Sequence, residues 1–237
     1  LTATVFERLL YLPDQYIIDI LYDPEIWGDF SNPAPSRVEE IFFWPRWTGV
    51  GVKATIEPDV VVCFDDRILV IEAKRYDHAN LQYTEQLARE WVCGRREFPG
   101  RSVWLLAVGG MFDYRRDQVK TRWQASIAEH AGTLGMPDAA TALRFAAVSW
   151  SDLYLMTASR LNEKPEWRRL MADLREGILM HGISIRSPEW MNELREAPWA
   201  GVRGITTPPE ALLPFHPPLV PLHGFGRITT TPQALSF

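Results

Sequence analysis

Residues 57–74, EPDVVVCFDDRILVIEAK, constrain the fold more than any other part of the chain. Two short β-branched and aromatic runs, 60–64 and 68–71, are separated by the polar pair Asp65-Asp66. That pattern predicts a β-hairpin. With Asp65-Asp66 as a two-residue turn, Cys63 faces Ile68 and Asp59 faces Glu72. Opposed residues share a face, with Cβ atoms about 4.5–5.5 Å apart. Lys74 lies two residues beyond Glu72 and falls on the same face. Ala73 points the other way, and its carbonyl lies along the strand edge. One surface therefore gathers two carboxylates and an ammonium. Two carboxylates about 5 Å apart repel by roughly 3 kcal/mol at an effective dielectric of 20. A shared proton, the Lys74 ammonium or a hard divalent cation with oxygen ligands relieves that repulsion. A surface hairpin carrying a plain Glu72–Lys74 ion pair is the alternative.

Pro58-Asp59, twelve residues, then Glu72-Ala73-Lys74 resembles the PD-(D/E)XK motif of the restriction-endonuclease-like nuclease superfamily. The resemblance implies a Mg2+ or Mn2+ site formed by Asp59, Glu72 and the Ala73 backbone carbonyl, with Lys74 orienting the attacking water. It implies DNA as substrate and a 5′-phosphate on the product. It also implies a metal-reaching Glu on a helix before the hairpin, for which Glu39 is preferred to Glu40. A Gln on the helix after the hairpin is implied as well, with Gln86 preferred and Gln82 as competitor. Gln86 is followed by Glu90-Trp91, which only approximates the superfamily's Q-x-x-x-Y pattern.

The surrounding chain reads as α/β. Apolar residues at helical spacing predict helices over 4–12 and 15–22. Pro24, Gly28, Pro33 and Pro35 make a loop. Ser36 and Glu39 have the spacing of a capping box, which predicts a helix over 37–44. Residues 47–56 read as a first strand leading to Asp59, with Lys53 on it as a phosphate contact or a solvated lysine. A helix follows from Asn80 to about Arg96, with Leu81, Leu87, Trp91 and Val92 as its apolar face. The run VWLLAV at 103–108, closed by Gly109-Gly110, has the form of a buried strand. Further helices are expected over 118–130, 153–161 and 165–180, with a strand at 143–148. The expected fold is a restriction-endonuclease-like mixed β-sheet flanked by helices. Residues 1–35 form an N-terminal helical segment packed on the core, 36–197 the nuclease-like domain, and 198–237 a Pro/Gly/Thr-rich extension.

That extension holds a near-repeat, ITTPPEAL against ITTTPQAL. It reads as surface-wrapping chain or as an arm for a homodimer or protein partner. His216 and His223 there, and His78 in the loop after Lys74, have no companions at metal-ligand spacing.

Composition narrows the class. The 237 residues are 46% hydrophobic and 23% charged, sufficient for one domain with a full core. Cys63 and Cys93 cannot make a disulfide framework, so a reducing, cytoplasmic setting is expected. The longest uncharged apolar stretch, 102–112, is too short to span a bilayer, so no membrane partner is expected. No signal peptide is visible, and Leu1 in place of Met reads as a trimmed chain. Net charge is −5, yet the basic residues are 21 Arg and four Lys, one of them Lys74. An acidic total is compatible with a local basic groove. No P-loop, dinucleotide fingerprint, nucleophile elbow or zinc spacing is present. The reading is a metal-dependent deoxyribonuclease. The alternatives are a catalytically inactive nuclease-like binding or scaffold protein and an unrelated α/β enzyme.

Overall fold

The computed structural model describes residues 1–28, 33–77, 81–110, 116–161 and 163–185, with the side chains of 116–118 outside the description. They fall in one compact unit, Leu1–Ser187; the second unit, Pro188–Phe237, contains the C-terminal near-repeat and both of its histidines and lies outside the described residues. His78 and Asn80 lie outside them too, as do Asp113 and Arg115, which the sequence places in a loop after the 103–108 run, with Arg115 as a DNA-backbone contact or a solvated charge.

The expected hairpin forms. β4 (Val60–Phe64) and β5 (Arg67–Ala73) pair antiparallel, with Val60 opposite Ile71 and Cys63 opposite Ile68. Every residue of β4 is buried, so both faces of the hairpin must be covered. Alternation divides the cover in two. Val60, Val62, Phe64, Leu69 and Ile71 enter one apolar cluster, and Val61, Cys63, Ile68 and Val70 enter the other. Each fully buried Val, Leu or Ile side chain contributes about 1.5–3 kcal/mol, so this register is strongly specified.

The first cluster is closed by α1 (Thr2–Leu9), α2 (Asp14–Leu21), α3 (Pro24–Trp27), α7 (Trp150–Leu161) and α8 (Arg168–Met180). The N-terminal helices thus pack on the same core as the sheet. The second is closed by α4 (Thr84–Glu97), α5 (Arg116–Thr133), the short α6 (Ala139–Ala142) and the small hairpin of β2 (Trp47–Thr48) and β3 (Thr55–Ile56). β6 (Ser102–Val108) pairs parallel with β5, and β7 (Arg144–Val148) parallel with β6. With β1 (Val38–Phe43) at the edge, the result is a five-stranded mixed sheet in the order β1-β4-β5-β6-β7 with helices on both faces.

Two expectations are corrected. Residues 37–44 are not a helix: Val38–Phe43 form β1, the edge strand antiparallel to β4. Its register shifts between Val38 and Glu40, so apolar and polar residues do not alternate and Val38, Ile41 and Phe42 mimic helical spacing. Ser36 is not a helix cap; its hydroxyl donates to Asp65 at 2.5 Å and ties the edge strand to the β4–β5 turn. Residues 47–56 are not one strand but two short ones, β2 (Trp47–Thr48) and β3 (Thr55–Ile56), with Trp47 opposite Ile56. Gly51, at φ 63°, lies in the turn between them.

Gly109 at the end of β6 has φ 67°. A Cβ there would lie 2.4 Å from the Lys74 carbonyl oxygen and 2.7 Å from Trp150 Nε1. Those two atoms are themselves hydrogen-bonded at 2.6 Å. Gly109→Ala is therefore expected to cost about 1–3 kcal/mol, measured by urea unfolding, from left-handed strain and the broken contact.

Candidate active site

Parity along the hairpin places Asp59, Glu72 and Lys74 on the α4 side of the sheet, one step beyond the apolar residues Val61 and Val70. Asp59 is half-buried. Its Oδ2 accepts from the Ala73 N–H at 2.8 Å, and Oδ1 accepts from Trp44 Nε1 at 3.2 Å. Glu72 is 3% exposed. Lys74 Nζ donates to Glu72 Oε1 in a close ion pair and to Gln86 Oε1 at 3.2 Å. Gln86 Nε2 returns a bond to Glu72 Oε1 at 2.8 Å and a second to Glu90 Oε1 at 2.9 Å. The first turns of α4 thus deliver an amide that holds acid and ammonium in one geometry.

Lys74 is fixed at its backbone as well. Its N–H donates to the Val108 carbonyl at 2.8 Å, and its carbonyl accepts from the Trp150 indole. Gly110 permits the close passage, since a Cβ there would lie 2.7 Å from Lys74 Cβ. Asp77 accepts from the N–H groups of Trp150 and Ser151 at 2.8 and 3.1 Å, which anchors the loop after Lys74 to the start of α7.

Of the expected residues, Asp59, Glu72, Lys74 and Gln86 converge. Glu39 does not join them. It pairs with Arg37 at 3.0 Å and Arg101 at 2.7 Å, and these hydrogen bonds hold its carboxyl below the usual range. It sits near the Val38 end of β1, five residues from Trp44, or about 16 Å at 3.3 Å per residue. Glu40, opposite Cys63, is at the same end. Gln82 has a different role from Gln86: it is buried, and its amide donates to the carbonyls of Glu72 at 3.2 Å and Gly109 at 3.3 Å. It braces backbone rather than facing the carboxylates.

Glu90 is a site residue that the motif did not mark. It is 1% exposed, and its Oε2 has no donor from the protein. Burial, then repulsion from Glu72, pushes its carboxyl well above the normal range. Glu72 is raised too, by burial first and then by Asp59, with Lys74 opposing. The two acids oppose each other's ionisation and titrate as a pair. A signal was present: Glu90 lies between Leu87 and Trp91 on the apolar face of α4, where a charge has no solvent.

Even without a charge on Glu90, Asp59 and Glu72 against the one Lys74 ammonium leave the pocket short of positive charge. Asp59 and Glu72 are hard oxygen donors of the kind a Mg2+ or Mn2+ ion takes, and the raised pKa of Glu72 marks repulsion that such an ion offsets. The two carboxylates and the Ala73 carbonyl fit that ion in donor chemistry, without Glu39. Among the described residues, no group of three or more His, Cys, Asp or Glu is gathered as a ligand set.

Comparison with known proteins gives kinship of one kind. Over 203 residues the chain is 32% identical to "Uncharacterized protein PM0110" of Pasteurella multocida (strain Pm70), covering 82% of this chain and 73% of that one. The chain belongs to that protein's family. No family model and no solved structure matches it. Among the described residues of this family member, no helix is long and apolar enough to cross a membrane.

The acid pair sets a pH dependence. A carboxyl with a raised native pKa binds more protons in the native than in the unfolded state. In metal-free buffer, stability is therefore expected to fall as pH rises above the unfolded glutamate value of about 4.3. Glu90→Gln, which never ionises, should lessen that fall. Thermal melts across pH check it; an unchanged slope would place a charged Glu90 in the native state.

Proposed function

We propose that the chain is a metal-dependent phosphodiesterase acting on DNA, with a restriction-endonuclease-like fold and a PD-(D/E)XK-type site. The convergence of Asp59, Glu72, Lys74 and Gln86 on one face of a buried hairpin carries the reading. The mixed sheet, in which β4, β5 and β6 are followed by helices on both faces, supports it. So does the shortage of positive charge around the acids.

The ion, when bound, lowers the pKa of a coordinated water and offsets charge developing on the phosphorus oxygens. The remaining work falls to the chain. Asp59 is oriented by the Ala73 N–H and the Trp44 indole, so its carboxylate cannot swing away as substrate approaches. Glu72 is held by Gln86 and shielded from water. Lys74 donates from Nζ; when substrate enters, that ammonium can turn from Glu72 to an attacking water or a phosphate oxygen. Gln86 bonds both partners and steadies Glu72 as Lys74 turns. Glu90 anchors Gln86 by accepting from its amide, and burial disfavours a second full charge beside Glu72.

Cleavage of plasmid and linear DNA with Mg2+ or Mn2+ tests the reading. Asp59→Ala and Lys74→Ala are each expected to lower the rate by at least ~100-fold, the scale of a lost electrostatic or general-base group. Lys74→Ala leaves Glu72 buried without its cation, so both variants are checked for folding by circular dichroism. Cleavage unchanged in folded variants would sink the site assignment.

A further inference from the structure

Two aromatic side chains stand exposed beside this site. Trp44 is 44% exposed and Tyr83 is 62% exposed. Trp44 is also the one non-glycine residue with positive φ among the described residues, at 49°. Strain of that kind persists only where the surroundings enforce it, and it gathers at functional sites. Here Asp59 enforces it twice: its carbonyl accepts from the Trp44 N–H at 3.1 Å, and its carboxylate accepts from the indole. The strained backbone therefore presents a half-exposed indole against a carboxylate of the site. Tyr83 stands at the start of α4, three residues before Gln86, where it lines a cleft of about 690 Å³.

That cleft is also lined by Lys53, Gln86, Arg89, Glu90 and His130. Its acids are mostly occupied or buried: Glu57 pairs with Arg46 at 2.8 Å, Glu85 with Arg89 at 3.6 Å, and Glu90 is 1% exposed. Lys53, exposed between β2 and β3, supplies a cation at its edge. The volume is that of a small-ligand pocket and suits one or two nucleotides rather than a double helix.

We infer that the substrate of this site is unpaired nucleic acid, with bases stacked on Trp44 and Tyr83 and a backbone phosphate near Lys53. This rests on the phosphodiesterase reading and narrows its substrate class. An unpaired base offers its π-face to an aromatic ring, whereas a base within a duplex is already stacked on its neighbours. Two exposed rings, one against Asp59 and one in the cleft beside Gln86, therefore favour splayed nucleotides.

The test measures fluorescence anisotropy of labelled single-stranded DNA, single-stranded RNA and duplex DNA in EDTA, beside Mn2+-dependent cleavage of the same strands. Single strands should bind at least about tenfold more tightly than duplex. Trp44→Ala and Tyr83→Ala should each weaken single-strand binding by about 5- to 150-fold and leave the weak duplex binding unchanged. Tyr83→Phe, which keeps the ring, should bind like the wild type and serves if Trp44→Ala does not fold. The DNA and RNA arms decide which sugar is accepted. Equal affinity for single strand and duplex, or equal losses on both, overturns the inference. Cleavage without strand preference overturns this inference alone. Ring-dependent single-strand binding without cleavage keeps the unpaired strand as the ligand of this face but overturns the phosphodiesterase reading, and with it the strand's role as substrate.

Discussion

The pairing of Val60 with Ile71 is the contact on which the rest depends. It fixes which residues of β4 and β5 enter each apolar cluster, and it sets Asp59 against the Ala73 backbone with Glu72 beside it. A slip of one residue would turn Glu72 into the cluster that holds Ile71, Trp104 and Leu106. Burying a carboxylate there without a partner is prohibitive. Hydrophobic register and site geometry are therefore one constraint. The apolar alternation that stabilises the hairpin is also what delivers both acids and the lysine to α4.

The site departs from minimum energy in a consistent way. Glu72 and Glu90 are buried acids with raised pKa, and Trp44 is backbone-strained against Asp59. Each costs stability, and each is held by neighbours that have little freedom: Gly109 and Gly110 under Lys74, Gln82 across the strand ends, and the Trp150 indole on the Lys74 carbonyl. Such rigidity suits a constellation that must hold charge in place before substrate arrives.

The hairpin, its register and the amphipathic helices α4 and α8 were legible because apolar periodicity there is regular and turn residues punctuate it. β1 was not. Its glutamates favour helix, Ser36 imitates a cap, and the irregularity near Glu39 erases the alternation that would have announced a strand. Glu39 was assigned to the site through that misread helix. The structure instead gives it two arginines near the other end of β4. Gln86 could not be separated from Gln82 in the sequence, since both precede the apolar face of α4. Only the three-dimensional path of the Lys74 loop decides which amide meets carboxylates and which meets carbonyls. Trp44 was invisible for a different reason: backbone strain has no signature in a residue that is neither Gly nor Asn.

The central claim is that Asp59 and Glu72 form one acidic centre built to hold a hard cation. Isothermal titration with Mn2+ addresses it without requiring turnover. Saturable binding is predicted for the native chain, lost in Asp59→Ala and retained in Glu39→Ala. No binding by the native chain, or binding that survives Asp59→Ala and vanishes in Glu39→Ala, would contradict the account.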